Sequence, residues 1–222
     1  MRSPGSGWHR FDVSQRMKSA SDVEAAWTKF LNPETLKQNL LQGGLYLAAF
    51  EMLKDSLVGR PRDFFCFAVS DGDIVTDLSS PRYEIEVRSL HKHLFTASAL
   101  WWHKSGAITV EELDTLRRIR EHRDQIAHNM PKMIGTAEHS IDLDLLEHTN
   151  CILAKIDNWW LQNFEAGINP EQYEKFSQEE MDEARSMSAL FLSMMIPLVS
   201  GDDSQFRTLY TMWCDHQQKI SG

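Results

Sequence analysis

Cysteine is scarce in this sequence, and the way it is spaced excludes two classes of protein. The 222 residues include only Cys66, Cys151 and Cys214. These three are far apart and lack the paired spacing of a zinc site or a disulfide framework. An odd number of scattered cysteines is typical of buried thiols in a reducing compartment. We therefore expect a cytoplasmic protein.

Long apolar runs are also missing. The most apolar stretch, Met187–Val199, has 13 residues and is interrupted by serine and proline. It is too short to span a bilayer, so we expect a core helix and no membrane association. Residues 1–7 have no apolar core of the kind that signal peptides carry. Residues 1–20 are expected to form a flexible leader.

Positive charge is in deficit over the whole chain but concentrated in one segment. There are 23 Lys and Arg against 32 Asp and Glu, a net charge of −9. This argues against a protein that coats nucleic acid without specificity, because such binding needs a broad positive surface. Residues 117–132 carry five Lys/Arg against two Asp/Glu. That segment suits a short length of phosphate backbone, and an ordinary solvated helix face is the alternative.

Signals for helices recur, whereas signals for strands are nearly absent. Asn32 and Pro33 provide an N-cap and a first-turn proline for a helix that should run to about Val58 and stop at residues 59–61, Gly-Arg-Pro. Gly43 and Gly44 inside it are expected to allow close helix packing. Its apolar positions recur at three- and four-residue steps; they are Leu36, Leu40, Tyr46, Leu47, Phe50, Leu53 and Leu57.

Further helices are predicted over residues 83–103, 109–131 and 141–164. The second opens with a capping box, Thr109 with Glu112, and should end at Pro131. Two more helices are expected near the C-terminus, over residues 177–196 and 203–218. Residues 64–69 fit either a short strand or a helical turn, and residues 71–81 are expected to form a loop.

These elements predict an all-α protein with an antiparallel four-helix-bundle core and additional C-terminal helices. The expected organisation is a leader over residues 1–20 and a helical core over residues 21–165. A C-terminal helical extension, residues 166–222, should pack on that core.

One segment, residues 123–129, suggests chemistry. It places Arg123 and His128 with four residues between them, and Asp124 follows the arginine directly. A group that holds phosphate and a group that titrates near neutral pH are what RNA cleavage without a metal requires. Two other Arg–His pairs share the spacing but lack the acidic neighbour. Salt bridges of an ordinary helix surface are the alternative interpretation.

With this context, the segment resembles the signature of the HEPN superfamily. In that family an Arg, an adjacent polar residue and a His a few residues on form the site of many metal-independent ribonucleases. The resemblance implies catalytic roles for Arg123, Asp124 and His128. Met130 stands where one subfamily carries a tyrosine, so control by modification of that tyrosine is not expected.

The resemblance implies a reaction that needs no metal and no cofactor. His128 would remove the proton of a ribose 2′-hydroxyl, and Arg123 would stabilise the charge on the phosphorane. Asp124 lies one helical turn before His128 and could accept a hydrogen bond from its imidazole. The product would be a 2′,3′-cyclic phosphate. The candidate substrate-binding residues of the same segment are Asn129, Arg120 and Lys132.

The family also implies partners. RNA would be the substrate, and a symmetric homodimer would bring two copies of the motif to one cleft. A toxin or phage-defence setting, with an antitoxin or defence-system partner protein, is the expected context. Two alternatives remain open. One is a non-catalytic helical module that binds a nucleotide, RNA or a protein, and the other is an interaction protein whose C-terminal helices form an oligomer interface.

Overall fold

The computed structural model describes residues 24, 27, 30–70, 73–76, 80–135 and 140–221. The predicted leader, residues 1–20, lies outside them. The described helices are, in chain order, α1 Pro33–Lys54, α2 Arg60–Phe65, α3 Pro81–Glu86, α4 Leu94–Lys104, α5 Val110–Gly135, α6 Leu143–Trp160, α7 Ala166–Ile168, α8 Pro170–Tyr173, α9 Gln178–Glu183, α10 Met187–Val199 and α11 Ser204–Ser221. The predicted all-α class is confirmed.

Short irregular elements connect these helices. Five-residue π-helical turns, Asp55–Gly59 and Leu161–Glu165, follow α1 and α6 directly. A 3-10 turn, Arg88–Leu90, precedes α4. Strands β1, Phe67–Ser70, and β2, Asp73–Thr76, pair as a small antiparallel ribbon. The expected loop over residues 71–81 is therefore wrong in part, because its first half contributes a strand.

Helix α1 begins as its sequence predicts but does not end at Pro61. The side chain of Asn32 accepts hydrogen bonds from the backbone N–H groups of Glu34 and Thr35, at 3.0 and 3.3 Å. Pro61 lies in the first turn of α2, directly after the π turn. A proline is tolerated there because a first-turn N–H has no partner within its own helix. The chain therefore continues helically to Phe65.

An ion pair connects the two π-helical turns. Arg60, directly after the first turn, donates from Nε to Oδ1 of Asp157 at 2.9 Å and from Nη1 to Glu165 at 3.0 Å. Its guanidinium also lies over the ring of Trp160, 5.6 Å from the centroid. Asp157 is a buried carboxylate. A buried charge needs such a partner to offset its lost hydration.

Helices α1 and α5 pack antiparallel to one another. The hydroxyl of Tyr46 in α1 donates to the carbonyl of Ile119 in α5 at 3.3 Å. Gly43, nearly one turn earlier in α1, lies against Met130, three turns later in α5. A Cβ added to Gly43 would be 2.8 Å from Cε of Met130. Gly43 thus permits the close packing that the sequence suggested, whereas Gly44 is exposed and has no close neighbour.

Helix α6 is antiparallel to α5, and α10 lies against both α1 and α6. Lys155 of α6 pairs with Glu112 near the start of α5 at 2.8 Å. Asn150 of α6 donates to Ser193 of α10 at 2.9 Å. Helix α10 contributes to the same hydrophobic core as the earlier helices, through Ala189, Leu192, Ile196 and Val199. Part of the predicted extension is therefore continuous with the core.

Tryptophans close one end of the core. Trp102 of α4 is fully buried, and its indole N–H donates to the carbonyl of Leu57 in the first π turn at 2.8 Å. Its ring meets the edge of Trp159 from α6, with centroids 5.5 Å apart. Trp101 is also buried. The pair Trp101–Trp102 therefore belongs to the core, and its rings do not form an exposed surface on which bases could stack.

Two predicted helices are broken in the structure. The helix expected over residues 83–103 is interrupted between Glu86 and Leu94, where His91 is fully extended with φ −162° and ψ 152°. The helix expected over residues 177–196 breaks at Ala184, whose ψ is 135°. Ser186 then caps α10 by accepting from the N–H of Ala189 at 3.2 Å. In both cases local turn geometry overrides the apolar periodicity.

The cysteines differ in exposure. Cys66 is buried, Cys214 is half-buried and Cys151 is exposed. The expectation of buried thiols is therefore right for Cys66 alone. Among the described helices, none combines the length and the apolar character needed to cross a membrane.

Candidate functional site

Helix α5 carries the candidate site and is anchored at its start by the predicted capping box. The N–H of Thr109 donates to Oε2 of Glu112 at 2.7 Å, and the N–H of Glu112 donates to the hydroxyl of Thr109 at 3.3 Å. These two bonds satisfy backbone donors that a helix start leaves unpaired. The inner face of α5 is buried through Leu116, Ile119 and Ile126. The polar residues of the site are thereby turned toward the rim of the core.

The helix bends at the end of the motif. Asn129 has φ −123° and ψ 18°, which is not helical, and α5 continues beyond it to Gly135. Pro131 explains the bend, because a proline has no N–H for the carbonyl four residues earlier, here that of Ala127. The expectation that α5 ends at Pro131 is therefore wrong. His128 lies directly before the bend rather than at a helix end.

Arg123 is held by two carboxylates and a ring. Its Nη1 donates to Oδ1 of Asp124 at 3.1 Å, and its Nη2 donates to Oε1 of Glu51 at 3.0 Å. Its guanidinium carbon lies 5.1 Å from the ring centroid of Phe50. Burial acts to lower the pKa of Arg123, but the bonds to Asp124 and Glu51 outweigh it and leave the pKa raised. The side chain is 31% exposed.

One nitrogen of Arg123 remains unused. Its Nε is buried and has no hydrogen-bond partner within the described part of the chain. Buried polar atoms are nearly always paired, so an orphaned donor needs an explanation such as a functional role. Arg has five N–H donors, and Arg123 uses two of them within the described residues, so its guanidinium keeps donors for an oxyanion.

Glu51 is a residue that the sequence did not identify. It belongs to α1, and the antiparallel packing of α1 on α5 brings it opposite Arg123. The pKa of Glu51 is lowered, first by a hydrogen bond from Lys54 at 2.6 Å and then by the bond from Arg123. No short-range pattern in the sequence marks Glu51, because its place opposite Arg123 depends on the register between α1 and α5.

Two arginines of α5 lie over a pair of stacked rings. Phe50 of α1 and Phe95 of α4 stack with centroids 5.5 Å apart and an interplanar angle of 19°. Arg123 lies over Phe50, and Arg120, nearly one turn earlier, lies 5.9 Å from the centroid of Phe95. A cation over an aromatic face is attracted to the ring's negative quadrupole. The rings therefore restrain both guanidiniums at the same edge of the core.

His128 is exposed and lies one turn beyond Asp124. The hydrogen bond expected between Asp124 and His128 is not formed within the described residues, since Asp124 is bound to Arg123 instead. Asn129 is half-buried at the bend. Lys132 lies in the last turns of α5, and its side chain is outside the described part. The structure therefore brings Arg120, Arg123 and Asp124 together and places His128 next to them along the helix.

His122 shows what a structural histidine looks like in this helix. Its Nε2 accepts a hydrogen bond from the backbone N–H of Asp142 at 3.0 Å, and its ring meets the edge of Tyr46 at 4.9 Å. Burial lowers its pKa, and the nearby Asp142 only partly opposes that effect. His122 therefore serves packing, and the Arg117–His122 spacing does not mark a second site.

His91 and His93 lie close together but not on a helix, contrary to expectation. Their ring centroids are 5.5 Å apart in the extended connection before α4, and Nδ1 of His91 accepts from the N–H of His93 at 3.0 Å. Among the described residues, no three His, Cys, Asp or Glu side chains are grouped so that they could hold a metal ion.

Two open cavities are large enough to hold a small molecule. A groove of about 590 Å³ runs between α4 and α5 and includes Arg120 and Asp124 in its wall. A cavity of about 670 Å³ lies between α6 and the end of α9. In that cavity the amide of Asn158 already donates to the carbonyls of Met181 and Ala184, at 2.7 and 3.0 Å. The groove beside α5 is the one that adjoins the candidate site.

Comparisons with protein-family models, curated proteins and solved structures found no match to this chain.

Proposed function

We propose that this protein is a metal-independent endoribonuclease of the HEPN type. Arg123 would stabilise the charge on the reacting phosphate and His128 would act as the base. The observation that carries the proposal is the environment of Arg123. Its guanidinium is restrained over Phe50 and has a buried Nε without a partner, and an exposed histidine lies five positions further along the same helix.

The carboxylates bound to Arg123 do not prevent phosphate binding. Glu51 and Asp124 are each almost half exposed, at 48% and 46% of their side-chain surface. Ion pairs of that exposure contribute only about 0.2–1 kcal/mol each. A phosphate offers Arg a bidentate, charge-assisted pairing that is stronger than an exposed contact with one carboxylate oxygen. Both carboxylates can therefore be replaced when RNA binds.

The proposed reaction is an internal transfer of the phosphate. His128 takes the proton of the ribose 2′-hydroxyl, and the 2′-oxygen attacks the adjacent phosphorus. The bond from phosphorus to the 5′-oxygen breaks, giving a 2′,3′-cyclic phosphate and a 5′-hydroxyl. Arg123 stabilises the added negative charge of the phosphorane. The leaving oxygen needs a proton, and His128 of a second protomer across a symmetric dimer would supply it.

The residues near the reacting groups would hold the RNA. Arg120 and Lys132 would bind neighbouring phosphates, and Asn129 at the bend would hydrogen-bond the backbone next to His128. The biological setting that we propose is a toxin or phage-defence system in the cytoplasm, with RNA as substrate and a protein antitoxin or defence component as partner.

A second candidate function is favoured by one observation. Asp124 pairs with Arg123 and not with His128, so nothing in the described part of the chain fixes the imidazole's tautomer. A non-catalytic module that binds RNA or a nucleotide through Arg120 and Arg123 would need no such orientation. Both functions predict binding, and only the first predicts cleavage.

Cleavage assays with matched variants separate the two. The wild-type protein should cleave single-stranded RNA of mixed sequence to products with 2′,3′-cyclic phosphate ends, as identified by mass spectrometry. His128→Ala and Arg123→Ala should each lose at least about a hundredfold in rate, the size of a general-base or oxyanion contribution. His148→Ala, at another exposed histidine, is the control.

Thermal unfolding tests whether the variants lose catalytic activity without losing stability. Polar residues at the rim contribute little to the core, so the midpoints of His128→Ala and Arg123→Ala should stay close to the wild type. A purified His128→Ala protein that cleaves RNA as fast as the wild type would refute the catalytic proposal. Binding without any cleavage by the wild type would select the second candidate.

A further inference from the structure

The groove between α4 and α5 has the size and the lining of a ligand site. Its volume of about 590 Å³ lies within the roughly 300–1,000 Å³ that small-molecule sites occupy. Partly exposed apolar or weakly polar side chains form its floor: Phe95, Thr96, Leu100 and Leu113. A floor of this kind accepts a flat, largely apolar group.

The charges on the groove wall do not cancel. Two of its carboxylates, Asp114 and Glu121, both pair with Arg117, at 2.7 and 2.8 Å. The third, Asp124, pairs with Arg123. Arg120 has no carboxylate partner within the described residues and is held by Phe95 alone. The wall has three carboxylates against two guanidiniums, and Arg120 is the guanidinium of the wall that no carboxylate of the described residues neutralises.

Further basic groups border the same end of the groove. His91 forms part of its wall, and Lys92 and His93 follow in the extended connection before α4. Loss of solvation and then the positive charges of Lys92 and Arg120 lower the pKa of His93. Lys92 and Arg120, which come from two elements of the fold, therefore form a local positive site that favours an anion, while the carboxylates of the wall are paired with Arg117 and Arg123.

We propose that this groove binds one nucleotide of single-stranded RNA, with its base on the apolar floor and its phosphate on Arg120. The inference rests on the proposed ribonuclease function and identifies where the nucleotide next to the scissile bond is held. Asp124 belongs to both the groove and the motif, and His128 lies one turn further on. A base in the groove would thus fix the position of the next phosphate along the strand relative to His128.

The apolar floor of the groove favours single-stranded RNA over a duplex as the ligand. Unpaired bases can leave the stack and present a flat face to a protein, whereas a duplex keeps its bases stacked inside. A surface that binds backbone phosphate alone would need cations along its length. Here Arg120 is the guanidinium of the wall without a carboxylate partner among the described residues, and Phe95, Leu100 and Leu113 supply apolar surface beside it.

Fluorescence anisotropy with an uncleavable probe tests the groove. The probe is a short, labelled single-stranded RNA with 2′-O-methyl groups throughout, so that no 2′-hydroxyl can attack. Arg120→Gln should weaken binding about tenfold or more, as expected for loss of a charged hydrogen bond. Arg118→Gln is the matched control, because Arg118 lies on the same helix but acts on Tyr46 rather than on the groove. It should bind like the wild type.

A second variant tests the binding of the RNA base to the groove floor, rather than the binding of the phosphate to Arg120. Thr96→Phe fills the floor without removing a charge, and it should also weaken the probe about tenfold, the effect of losing one stacked base. A probe with an abasic position should lose affinity for the wild type but not for Thr96→Phe. Circular dichroism on each variant confirms folding, and Thr96→Leu offers a smaller filling group if Thr96→Phe does not fold.

The outcomes distinguish this proposal from the ribonuclease proposal. Wild-type affinity in Arg120→Gln and in the Thr96 variant, or equal affinity for duplex and single strand, would overturn the groove as a nucleotide site. Competition by a free nucleoside monophosphate as strong as by RNA would also overturn the single-strand assignment. If the wild type binds RNA through the groove but does not cleave it, the catalytic proposal is wrong and the groove proposal stands. If cleavage depends on His128 but is unchanged in both groove variants, the groove proposal is wrong and the catalytic proposal stands.

Discussion

Nη2 of Arg123 lies 3.0 Å from Oε1 of Glu51, a carboxylate 72 positions earlier in the chain. The contact joins α5 to α1 at the point where we propose that phosphate binds. A phosphate bound there would compete with Glu51 for the same guanidinium, because the carboxylate of Glu51 already accepts a hydrogen bond from it.

Removing that competitor should strengthen RNA binding. Glu51→Gln abolishes the charge and keeps the shape, and affinity for an uncleavable RNA should rise by up to about fivefold, because a half-exposed ion pair is worth at most about 1 kcal/mol. Glu147→Gln, at an exposed position of α6, removes an equal charge elsewhere and should have little effect. Affinity that stays level or falls in Glu51→Gln would show that Arg123 does not receive phosphate.

The proposed chemistry uses a hydroxyl of the substrate and a histidine. Cleavage should therefore persist in excess EDTA, and a strand with 2′-deoxyribose at the scissile position should remain intact, because the attacking oxygen is absent. Gel analysis of both substrates with and without chelator is the measurement. Activity that disappears in EDTA and returns with magnesium would contradict the mechanism.

The proposed reaction needs two proton-transfer groups, and this requirement predicts a dimer. One His128 can act as the base, but the leaving 5′-oxygen also needs an acid, so we expect a homodimer at micromolar concentration. Analytical ultracentrifugation should give about twice the 25.6 kDa of one chain. Adding an excess of His128→Ala to the wild type should lower its activity, because a mixed dimer keeps a single His128 and lacks either the base or the acid. A strictly monomeric, active protein would rule out the shared site.

His122 should make the folded state sensitive to acid. Its pKa is lowered from 6.5, mainly by burial, so the unfolded chain binds a proton at a pH where the folded protein does not. The titration of His122 therefore leaves the free energy of unfolding unchanged above about pH 6.5 and lowers it as the pH drops below that value. Urea midpoints at about pH 7.5 and about pH 5.5 should differ more for the wild type than for His122→Gln. Equal differences would show that another group dominates.

The paired glycines of α1 should respond unequally to alanine. Gly44 has open space around it and lies inside the helix, so Gly44→Ala should stabilise the fold by roughly 0.5–1 kcal/mol. Gly43→Ala gains the same helix propensity but moves the end of Met130, which a new Cβ would approach to 2.8 Å. Chemical denaturation should therefore rank Gly44→Ala above Gly43→Ala. Equal gains would mean that Met130 yields without cost.

Local rules in the sequence predicted the elements that depend on near neighbours. The caps at Asn32 and Thr109 were visible because a cap and its hydrogen-bond partners lie within three residues. The buried stripe from Tyr46 in α1 to Leu57 in the first π turn followed from its periodicity. Close packing was expected at Gly43 and Gly44 alike, and the structure shows it at Gly43 alone of the two. The all-α class required no knowledge of how the helices are arranged in space.

Features that depend on the pairing of distant segments were not predictable. Glu51 faces Arg123 only because of the register between α1 and α5, and no short-range pattern fixes that register. The stack of Phe50 on Phe95 likewise needs α4 to start at Leu94, after a break at His91 that the apolar spacing concealed. The helix ends predicted at Pro61 and at Pro131 were both wrong. A proline also fits the first turn of a new helix or a bend within a helix, so it does not by itself mark a helix end.

The two π-helical turns are the points at which these long helices can absorb a change in length. A π turn accommodates one residue more than the α-helix would, and each residue of an α-helix advances the chain by about 100° around the axis. Deleting a single residue from Asp55–Gly59 would therefore return the segment to α-helical winding and keep the segments on either side nearly in their present orientation, so that Arg60 still faces Asp157. A deletion within the α-helical part of α1 would instead turn every later residue by about 100° and leave Asp157 buried without its cation. Natural or designed variants should therefore tolerate a shortening by one residue within these turns better than elsewhere in the same helices.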